Sequence, residues 1–155
     1  MNRAFAVEAS FIEGQRTTPD EIAALIHSGG FLVLESDRGI CAAVLFVRPG
    51  ERTGLPASHA SFAMLSVSPE VQGMGLGRRL VQVAEAMAEA SGATSMRLRI
   101  INLREELSRW YKGLGYREIG TAPCANMPIK RPCHFIHMEK PLGAALYAAE
   151  QAPAA

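Results

Sequence analysis

Residues 67–80 read VSPEVQGMGLGRRL and join a short apolar run to a segment with helical periodicity. Because Gly73, Gly75 and Gly77 have no side chains, the backbone there can turn sharply and bring its N–H groups close to an anion. A helix that begins at Leu76 adds the positive end of its dipole. The stretch therefore predicts a loop that binds a diphosphate between a strand and a helix.

The spacing of the glycines excludes two common diphosphate loops. A P-loop, GxxxxGK[ST], and a dinucleotide fingerprint, GxGxxG, would each need a glycine at position 78 if they began at Gly73. That position holds Arg78. What remains is the pattern Gln72-x-x-Gly75-x-Gly77, so the ligand must be a diphosphate of another kind.

Downstream of this loop, the spacing of the apolar residues along the sequence changes three times. From Leu76 they recur every three or four residues up to Gly92, which predicts a helix with a glycine stop. Residues 94–101 alternate between apolar and polar, as a half-buried strand does. A second helix is predicted over roughly 104–112. Strands are predicted at 116–120 and 134–140, and the three prolines between them predict an exposed loop over 121–133.

Upstream, the chain favours a helix followed by three strands. Thr18-Pro19-Asp20-Glu21 resembles a helix entry, and Gly29-Gly30 is a suitable stop. Apolar runs at 31–35 and 40–47 predict a hairpin, and 61–67 predicts a third strand. The resulting order, α, β, β, β, α, β, α, β, β, predicts a mixed sheet with helices packed against it, in the α/β or α+β class.

Length and composition restrict the classes of function. A chain of 155 residues is expected to form a single domain, here 1–142, followed by an Ala-rich tail at 143–155. The net charge of +1 argues against nucleic-acid binding, and no apolar run has the length to span a membrane. The N-terminus does not resemble a secretory signal, which predicts a cytoplasmic protein.

The cysteines and histidines predict neither a disulfide nor a metal site. Cys41, Cys124 and Cys133 form no even framework and no CxxC pair, so we expect reduced thiols. Cys124 and Cys133 are too far apart for typical zinc spacing, and His134 and His137 would lie on opposite faces of a strand.

The pattern Gln72-x-x-Gly75-x-Gly77 resembles the acetyl-CoA signature Q/R-x-x-G-x-G/A of the GNAT superfamily. A second segment, WYKGLGY at 110–116, resembles that family's helical tyrosine followed by a Gly-Tyr strand entry. The resemblance covers about residues 18–142. It implies a mixed, mostly antiparallel central sheet flanked by helices, with the first strand missing, because only seventeen residues precede the first predicted helix. The missing region often forms one wall of the acceptor site in this family.

The resemblance also implies roles for individual residues, with acetyl-CoA as co-substrate. It assigns Tyr111 as the general acid that protonates the departing thiolate, and an amide near Val67 as the group that polarises the thioester carbonyl. Asn102 would hydrogen-bond the cofactor. The pyrophosphate would be bound by the loop that begins at Gln72, through the amides of Gly73, Met74, Gly75, Leu76, Gly77 and Arg78, and the pantetheine arm by the backbone of Leu65, Ser66 and Val67.

Several alternatives stay open at this stage. Tyr111 could be a core aromatic residue, and Asn102 could cap the helix that starts near Arg104. The general base is not identified; its candidates are Glu35, Glu70, Glu106 and His59. The acceptor is a small-molecule or protein amine, a homodimer could form through a C-terminal edge strand, and the rival function is a non-catalytic acyl-CoA-binding sensor.

Overall fold

The computed structural model describes residues 1–28, 30–51, 56–125 and 127–143. The predicted order of elements is confirmed. Its helices are α1 (Pro19–Ser28), α2 (Leu76–Ala90) and α3 (Glu105–Gly113), with short 3-10 turns at Ala6–Ser10 and Pro69–Val71. Its strands are β1 (Gly30–Ser36), β2 (Gly39–Val47), β3 (His59–Val67), β4 (Ser95–Ile101), β5 (Arg117–Pro123) and β6 (His134–Pro141).

The six strands form one sheet in the order β1-β2-β3-β4-β6-β5. Every neighbouring pair is antiparallel except β3 and β4, which run parallel. That parallel pairing covers only residues 59–61 and 95–97. The predicted mixed, mostly antiparallel sheet flanked by helices is therefore confirmed. Over most of their length, β3 and β4 are not paired with each other.

Helix α2 forms the centre of the core on one face of the sheet. Its buried residues, Leu80, Val81, Ala84 and Ala88, recur at helical spacing and pack in one cluster with apolar side chains of β2, β3, β4 and β6. Helix α1 lies on the other face, where Ile22 and Ile26 share a groove with the alternate β1 residues Phe31 and Val33 and with residues 40–43 of β2. None of the described helices has the length and apolar character that crossing a membrane requires.

Strand β5 extends further than the sequence predicts. It continues to Pro123, which pairs with His134, so the expectation of an exposed loop over 121–133 is wrong for its first three residues. The physical reason is the position of β5 at the edge of the sheet, where a missing N–H group breaks no ladder on the open side. The predicted Gly29 helix stop and nearly all of the Ala-rich tail lie outside the described residues.

In the described residues no strand precedes α1, as predicted. Residues 1–17 instead fold back along the sheet. Phe11 and Ile12 are buried in a second small cluster with Ile101 and Phe135, and Ile12 bridges to Ile129. This N-terminal segment therefore packs against the ends of β4 and β6.

A polar network joins β3, β4 and β6 at the end where β3 and β4 are paired. The Ser95 hydroxyl is hydrogen-bonded to His59 Nδ1 and donates to Glu139 Oε1 at 2.8 Å, while Arg97 Nε donates to the same oxygen at 2.9 Å. Burial and the nearby Arg97 lower the pKa of His59, and the opposite effect of Glu139 is smaller. The folded protein therefore favours the neutral imidazole at this position.

This network predicts a pH dependence of stability. Because the pKa of His59 is lower in the folded than in the unfolded chain, its stabilising contribution is present above the unfolded pKa and is lost as pH falls through the folded pKa. We expect the free energy of unfolding, measured in urea, to fall between about pH 7 and pH 5, and His59→Gln to reduce that fall. His27→Gln, on exposed α1, is the control; an unchanged pH dependence in His59→Gln would contradict the prediction.

Candidate active site

The site is built around the gap that opens between β3 and β4 beyond Ser61. Between Ala43 and Leu45 the β2 register advances two residues while β3 advances three, so β3 carries an extra residue. Within this bulge Met64 has a φ of +56°, the one positive φ among the described residues other than glycine. Bulges re-aim the backbone, and strained residues of this kind cluster at functional sites. The bulge therefore marks where β3 turns away from its neighbour.

A small cavity of about 60 Å³ occupies the gap. Residues of both diverging strands line it, from Phe62 to Leu65 and from Leu98 to Ile101. Tyr111 of α3 lines it on the face that α2 covers, and Glu8 of the N-terminal segment also contributes to its wall. The cavity therefore reaches both layers that flank the sheet.

A larger pocket of about 700 Å³ adjoins this cavity on the α1 face. The two share five lining residues: Arg16, Ala63, Met64, Arg99 and Phe135. Met127 and Pro128 form part of the pocket wall, so the middle of the segment between β5 and β6 faces this space. A group bound in the gap is therefore accessible from the pocket, past the Met64 bulge.

Tyr111 belongs to the core and also faces the cavity. Its side chain is buried, and its ring lies 4.8 Å from Trp110, 5.7 Å from Tyr116 and 6.0 Å from Phe62 between centroids. Within the described part of the chain the hydroxyl has no hydrogen-bond partner. Burial raises the pKa of Tyr111, and Arg104 offsets this only in part. The hydroxyl is thus protonated at neutral pH and holds its proton more tightly than an exposed tyrosine.

The motif loop has unpaired amides at the start of α2. Gly73 and Gly75 adopt left-handed conformations, with φ of +79° and +78°. The first helical hydrogen bond runs from Arg79 N to Gly75 O at 3.0 Å, and no acceptor among the described residues binds the amides of 73–78. The first turn of α2 contains no acidic residue. This arrangement of donors suits an anion.

Gly77 allows the start of α2 to pack closely. A Cβ atom there would lie 3.6 Å from Val67 Cγ2 and 3.7 Å from Trp110 Cη2, at ordinary contact distance. A larger side chain would meet both residues. The loop is therefore packed against β3 on one side and α3 on the other, which fixes its position relative to the gap.

The end of β3 directs the Val67 backbone away from β2. Ser68 N donates to Cys41 O at 2.8 Å, so in the alternating antiparallel ladder the preceding residue, Val67, turns its N–H and C=O to the other side. Its carbonyl there accepts a bond from Gln72 Nε2 at 3.1 Å. Val67 itself does not line the cavity, whereas Leu65 does.

Asn102 joins β4 to β6. Its Oδ1 accepts a bond from His134 N at 2.8 Å, and its own N–H donates to His134 O at 2.9 Å. The alternative in which Asn102 caps α3 is wrong, because the cap position is Arg104 and no side chain caps that helix. Asn102 thus joins the ends of β4 and β6 through both its backbone and its side chain.

None of the four candidate bases lines the cavity or the pocket. Glu35 is exposed, and His59 lies at the paired end of β3. Hydrogen bonds from Ser68 and from the Glu70 backbone, followed by that from Arg3, lower the pKa of Glu70 to about 2. Glu106 is bonded to Arg104. The structure brings other carboxylates to the site instead.

Sequence reasoning missed the acidic residues that line the pocket: Glu13, Glu21 and Glu51. Glu21 forms a capping box with Thr18, since Thr18 N donates to Glu21 Oε2 at 2.8 Å and Glu21 N donates to Thr18 Oγ1 at 3.2 Å. Glu51 is paired with Arg48. The helix-entry signal at Thr18 places Glu21 in the first turn of α1. It does not show that this turn faces a pocket.

Glu8 was also missed, and it is the most buried carboxylate near the site. Its Oε1 accepts a bond from Arg104 Nη1 at 3.0 Å, and its Oε2 lies 3.7 Å from Arg16 Nε without a hydrogen bond. The pair joins the N-terminal segment to the first turn of α3. No motif surrounds Glu8 in the sequence, so only the fold reveals this contact.

No metal centre is found in the part of the chain that the structure describes: no three His, Cys, Asp or Glu residues are placed to hold an ion. The cysteines are free thiols, with Cys124 buried.

Comparison with known proteins relates this architecture to acetyltransferases. No curated protein sequence matched the chain. Among solved structures, Naa20 from Chaetomium thermophilum in complex with a bisubstrate analogue has a TM-score of 0.71 at 21% identity, over 95% of this chain and 84% of that one. The ribosomal-protein-S18-alanine N-acetyltransferase from Escherichia coli gives 0.65 at 18%, over 92% and 88%. Nourseothricin acetyltransferase gives 0.63 at 21%, over 73% and 65%.

At such identities these structures show a likeness of fold. The sequence itself matches a family model described as the acetyltransferase (GNAT) domain over residues 27–118, more than half of the chain. That segment contains both diverging strands, the motif loop and Tyr111. The chain belongs to the GNAT family of acetyltransferases.

Proposed function

We propose that this protein is an N-acetyltransferase that transfers the acetyl group of acetyl-CoA to an amine by direct attack in a ternary complex. The observation that carries the proposal is the gap between β3 and β4, which meets Tyr111 on one face of the sheet and the large pocket on the other. A site with two approaches can hold a thioester and an amine together. No described cysteine lines the cavity, so a covalent enzyme intermediate is not required.

The motif loop supplies the donors for the pyrophosphate. The amides from Gly73 to Arg78 have no acceptor among the described residues, and the α2 dipole adds positive potential. Arg78 is exposed beside them. The Gln72 side chain stabilises the start of this loop by donating a hydrogen bond to the Val67 carbonyl.

The unpaired edge of β3 supports the proposed binding position of the pantetheine arm. Beyond Ser61, β3 has no β4 partner, so the strand from Leu65 through Ser66 to Val67 borders the gap without a neighbour on that side, and the Val67 N–H and C=O face away from β2. An extended amide-containing chain can pair with such an edge as an added strand. Asn102 lines neither the cavity nor the pocket and is bonded to His134 of β6, so its role in binding the cofactor stays a prediction.

In the proposed reaction the neutral acceptor amine attacks the thioester carbonyl carbon, a C–N bond forms and the C–S bond breaks. The proton that the nitrogen loses passes to solvent, from which Tyr111 regains the proton that it gives to the thiolate. The Val67 N–H, directed away from β2, would stabilise the negative charge that develops on the carbonyl oxygen. Tyr111 would give its proton to the departing thiolate. Holding both reactants in the gap supplies a further part of the acceleration through proximity.

Acceptors named for the structural neighbours include a ribosomal-protein alanine and nourseothricin, so the fold alone leaves the acceptor open between protein and small-molecule amines. The predicted cytoplasmic location and homodimer stay predictions. Strand β5, at the sheet edge and mostly exposed, is the edge to which the dimer prediction refers.

The proposal is tested by calorimetry with acetyl-CoA and by an assay of free thiol released from acetyl-CoA with a panel of amines. We expect binding and amine-dependent thiol release. Binding without release by any amine would favour the sensor function. One observation argues against the sensor function: Phe5 and Glu8 of the N-terminal segment line the gap cavity and so form a wall of the site. Absence of binding would contradict the proposal altogether.

The conformation of Gly75 predicts an effect on affinity. With φ at +78°, an alanine there is strained by roughly 1–2 kcal/mol, so the free loop would relax and acetyl-CoA would have to restore the strained form. We expect Gly75→Ala to raise the Kd for acetyl-CoA about 10-fold, measured by calorimetry. Gly92→Ala, at φ +81° after α2, is the control with equal strain and unchanged affinity. Equal affinity in both variants would show that the loop does not bind the cofactor.

A further inference from the structure

We propose that Cys124 and Cys133 form a reversible dithiol–disulfide pair, which is oxidised by low-molecular-weight disulfides such as glutathione disulfide and joins the two ends of a segment that lines the large pocket. The spacing of these cysteines in the sequence matches no redox motif, and it is the register of β5 and β6 that brings them together. The pair uses no residue of the proposed transfer reaction. It therefore goes beyond the proposed function and does not depend on it.

The two cysteines follow directly on the last residue pair of the β5–β6 ladder. In this antiparallel ladder Pro123 pairs with His134, so the same register places Cys124 opposite Cys133 one step further on. Residues that lie directly opposite in an antiparallel pair have Cα atoms about 4.5–5.5 Å apart. A disulfide requires a Cα separation of roughly 4.4–6.8 Å, so the backbone permits the bond.

Both cysteine side chains also belong to one apolar cluster. Cys124 is buried in the cluster that contains Phe135, and Cys133 packs against the same cluster. Ala122 packs there too, and it pairs with Phe135 two residues back along the ladder. Because alternate residues of a strand share a face, Cys124 and Cys133 continue the face of this pair. Register and burial therefore place the two thiols on the same side of the hairpin.

The two thiols interact with each other in a positively charged environment. Burial, followed by the hydrogen bond with Cys133 and its charge, raises the pKa of Cys124, while the charges of Arg16 and Arg99 act in the opposite direction. Reactive cysteines are typically partly exposed and close to cationic groups. Cys133 is half-buried and Cys124 is buried, so an oxidant meets Cys133 first.

The oxidation takes place in two exchange steps. The Cys133 thiolate attacks one sulfur of glutathione disulfide, so a mixed disulfide forms and one glutathione thiolate leaves. The Cys124 thiolate then attacks the Cys133 sulfur, and the second glutathione thiolate leaves. The two protons of the protein thiols end on the two glutathiones, and one glutathione disulfide is reduced by two electrons. Because its raised pKa keeps Cys124 protonated at neutral pH, the second step is the slower one.

The bond would close the base of a segment that forms part of the wall of the large pocket. Met127 and Pro128 of this segment line the pocket. The segment is bound to the N-terminal residues by two backbone hydrogen bonds, from Glu13 N to Pro128 O at 2.7 Å and from Lys130 N to Phe11 O at 2.9 Å. A disulfide would add a covalent link and remove freedom from the unfolded chain. Oxidation therefore stabilises this wall of the pocket.

The test follows the thiols and the stability of the full chain in glutathione disulfide. Reduced protein is incubated with glutathione disulfide, its remaining thiols are alkylated, and its proteolytic peptides are analysed by mass spectrometry without reduction. We expect a bond between Cys124 and Cys133 that excludes Cys41, and dithiothreitol should restore all three thiols. We also expect oxidation to raise the melting temperature by about 5–10 °C, the effect of closing a loop of about ten residues in a chain of this size.

Variants separate the two steps. Cys124→Ala should stop the reaction at the mixed disulfide on Cys133, and Cys133→Ala should leave the buried Cys124 largely unmodified. Neither variant should show the rise in melting temperature. Cys41→Ala is the matched control and should form the bond and show the rise as the wild type does. Each variant is compared with its own reduced form, so a loss of stability through the substitution itself does not change the shift.

Three thiols that persist in glutathione disulfide would overturn the proposal. So would a wild type that stops at the mixed disulfide, a bond that includes Cys41, or an equal rise in melting temperature in Cys124→Ala. None of these results bears on the N-acetyltransferase proposal, because none of them measures acetyl-CoA binding or transfer.

Discussion

Replacing Tyr111 with phenylalanine is expected to lower kcat on the order of 10³-fold, the effect of removing a general acid. Tyr111 lines the gap cavity, and its ring packs against Phe62, Trp110 and Tyr116, so the variant loses the hydroxyl but keeps the packing. We expect the Kd for acetyl-CoA to change little. The measurement is thiol release with the best amine at saturating acetyl-CoA, together with calorimetry.

Tyr116→Phe is the matched control in the same aromatic cluster. Its hydroxyl donates to Glu85 Oε1 at 2.7 Å and does not line the cavity, so the variant should lose stability and keep kcat. If Tyr111→Phe retains the wild-type kcat, Tyr111 is a core aromatic residue and another group protonates the thiolate. If both variants lose kcat equally, the loss reflects packing rather than acid catalysis.

Replacing Glu8 with glutamine is expected to lower the free energy of unfolding by roughly 3 kcal/mol, the effect of breaking a buried ion pair. The side chains of Glu8 and Arg104 are only 7% and 13% exposed, so Arg104 would lose a counter-charge that water cannot replace. The variant should also loosen residues 1–17 from α3. Urea unfolding at neutral pH measures the change.

Glu106→Gln is the control, because Glu106 binds the same Arg104 from a side chain that is 59% exposed. Exposed ion pairs contribute little, and we expect a loss below about 1 kcal/mol. A Glu8→Gln variant as stable as Glu106→Gln would show that the N-terminal segment is not joined to the domain through this pair.

The sequence predicted the elements that carry strong local signals. The period of the apolar residues located α2 and β4, and the glycines located the motif loop between β3 and α2. Pro123 was assigned to a loop because proline is generally unfavourable in a strand. The residue is tolerated in β5 because β5 is an edge strand, and the order of strands in the sheet cannot be predicted from a local pattern. Local patterns thus gave the elements but not the environment of each one.

The candidate site was only partly accessible from the sequence for the same reason. The resemblance pointed to Tyr111, which lines the cavity between β3 and β4, and to the loop after Gln72, which is joined to the end of β3 by the bond from Gln72 to the Val67 carbonyl. Glu8 and Arg16 come from a segment without a motif, and their roles depend on how residues 1–17 fold across the sheet. Contacts between segments about 100 residues apart, such as Glu8 with Arg104, have no signature in one sequence.

The most direct test of the account is a crystal structure of the chain with coenzyme A. We predict the pyrophosphate on the amides of 73–78, the pantetheine arm along Leu65 to Val67, and the thiol in the gap between β3 and β4 near the Tyr111 hydroxyl. Coenzyme A bound elsewhere, or with its thiol outside the gap, would contradict the proposed mechanism.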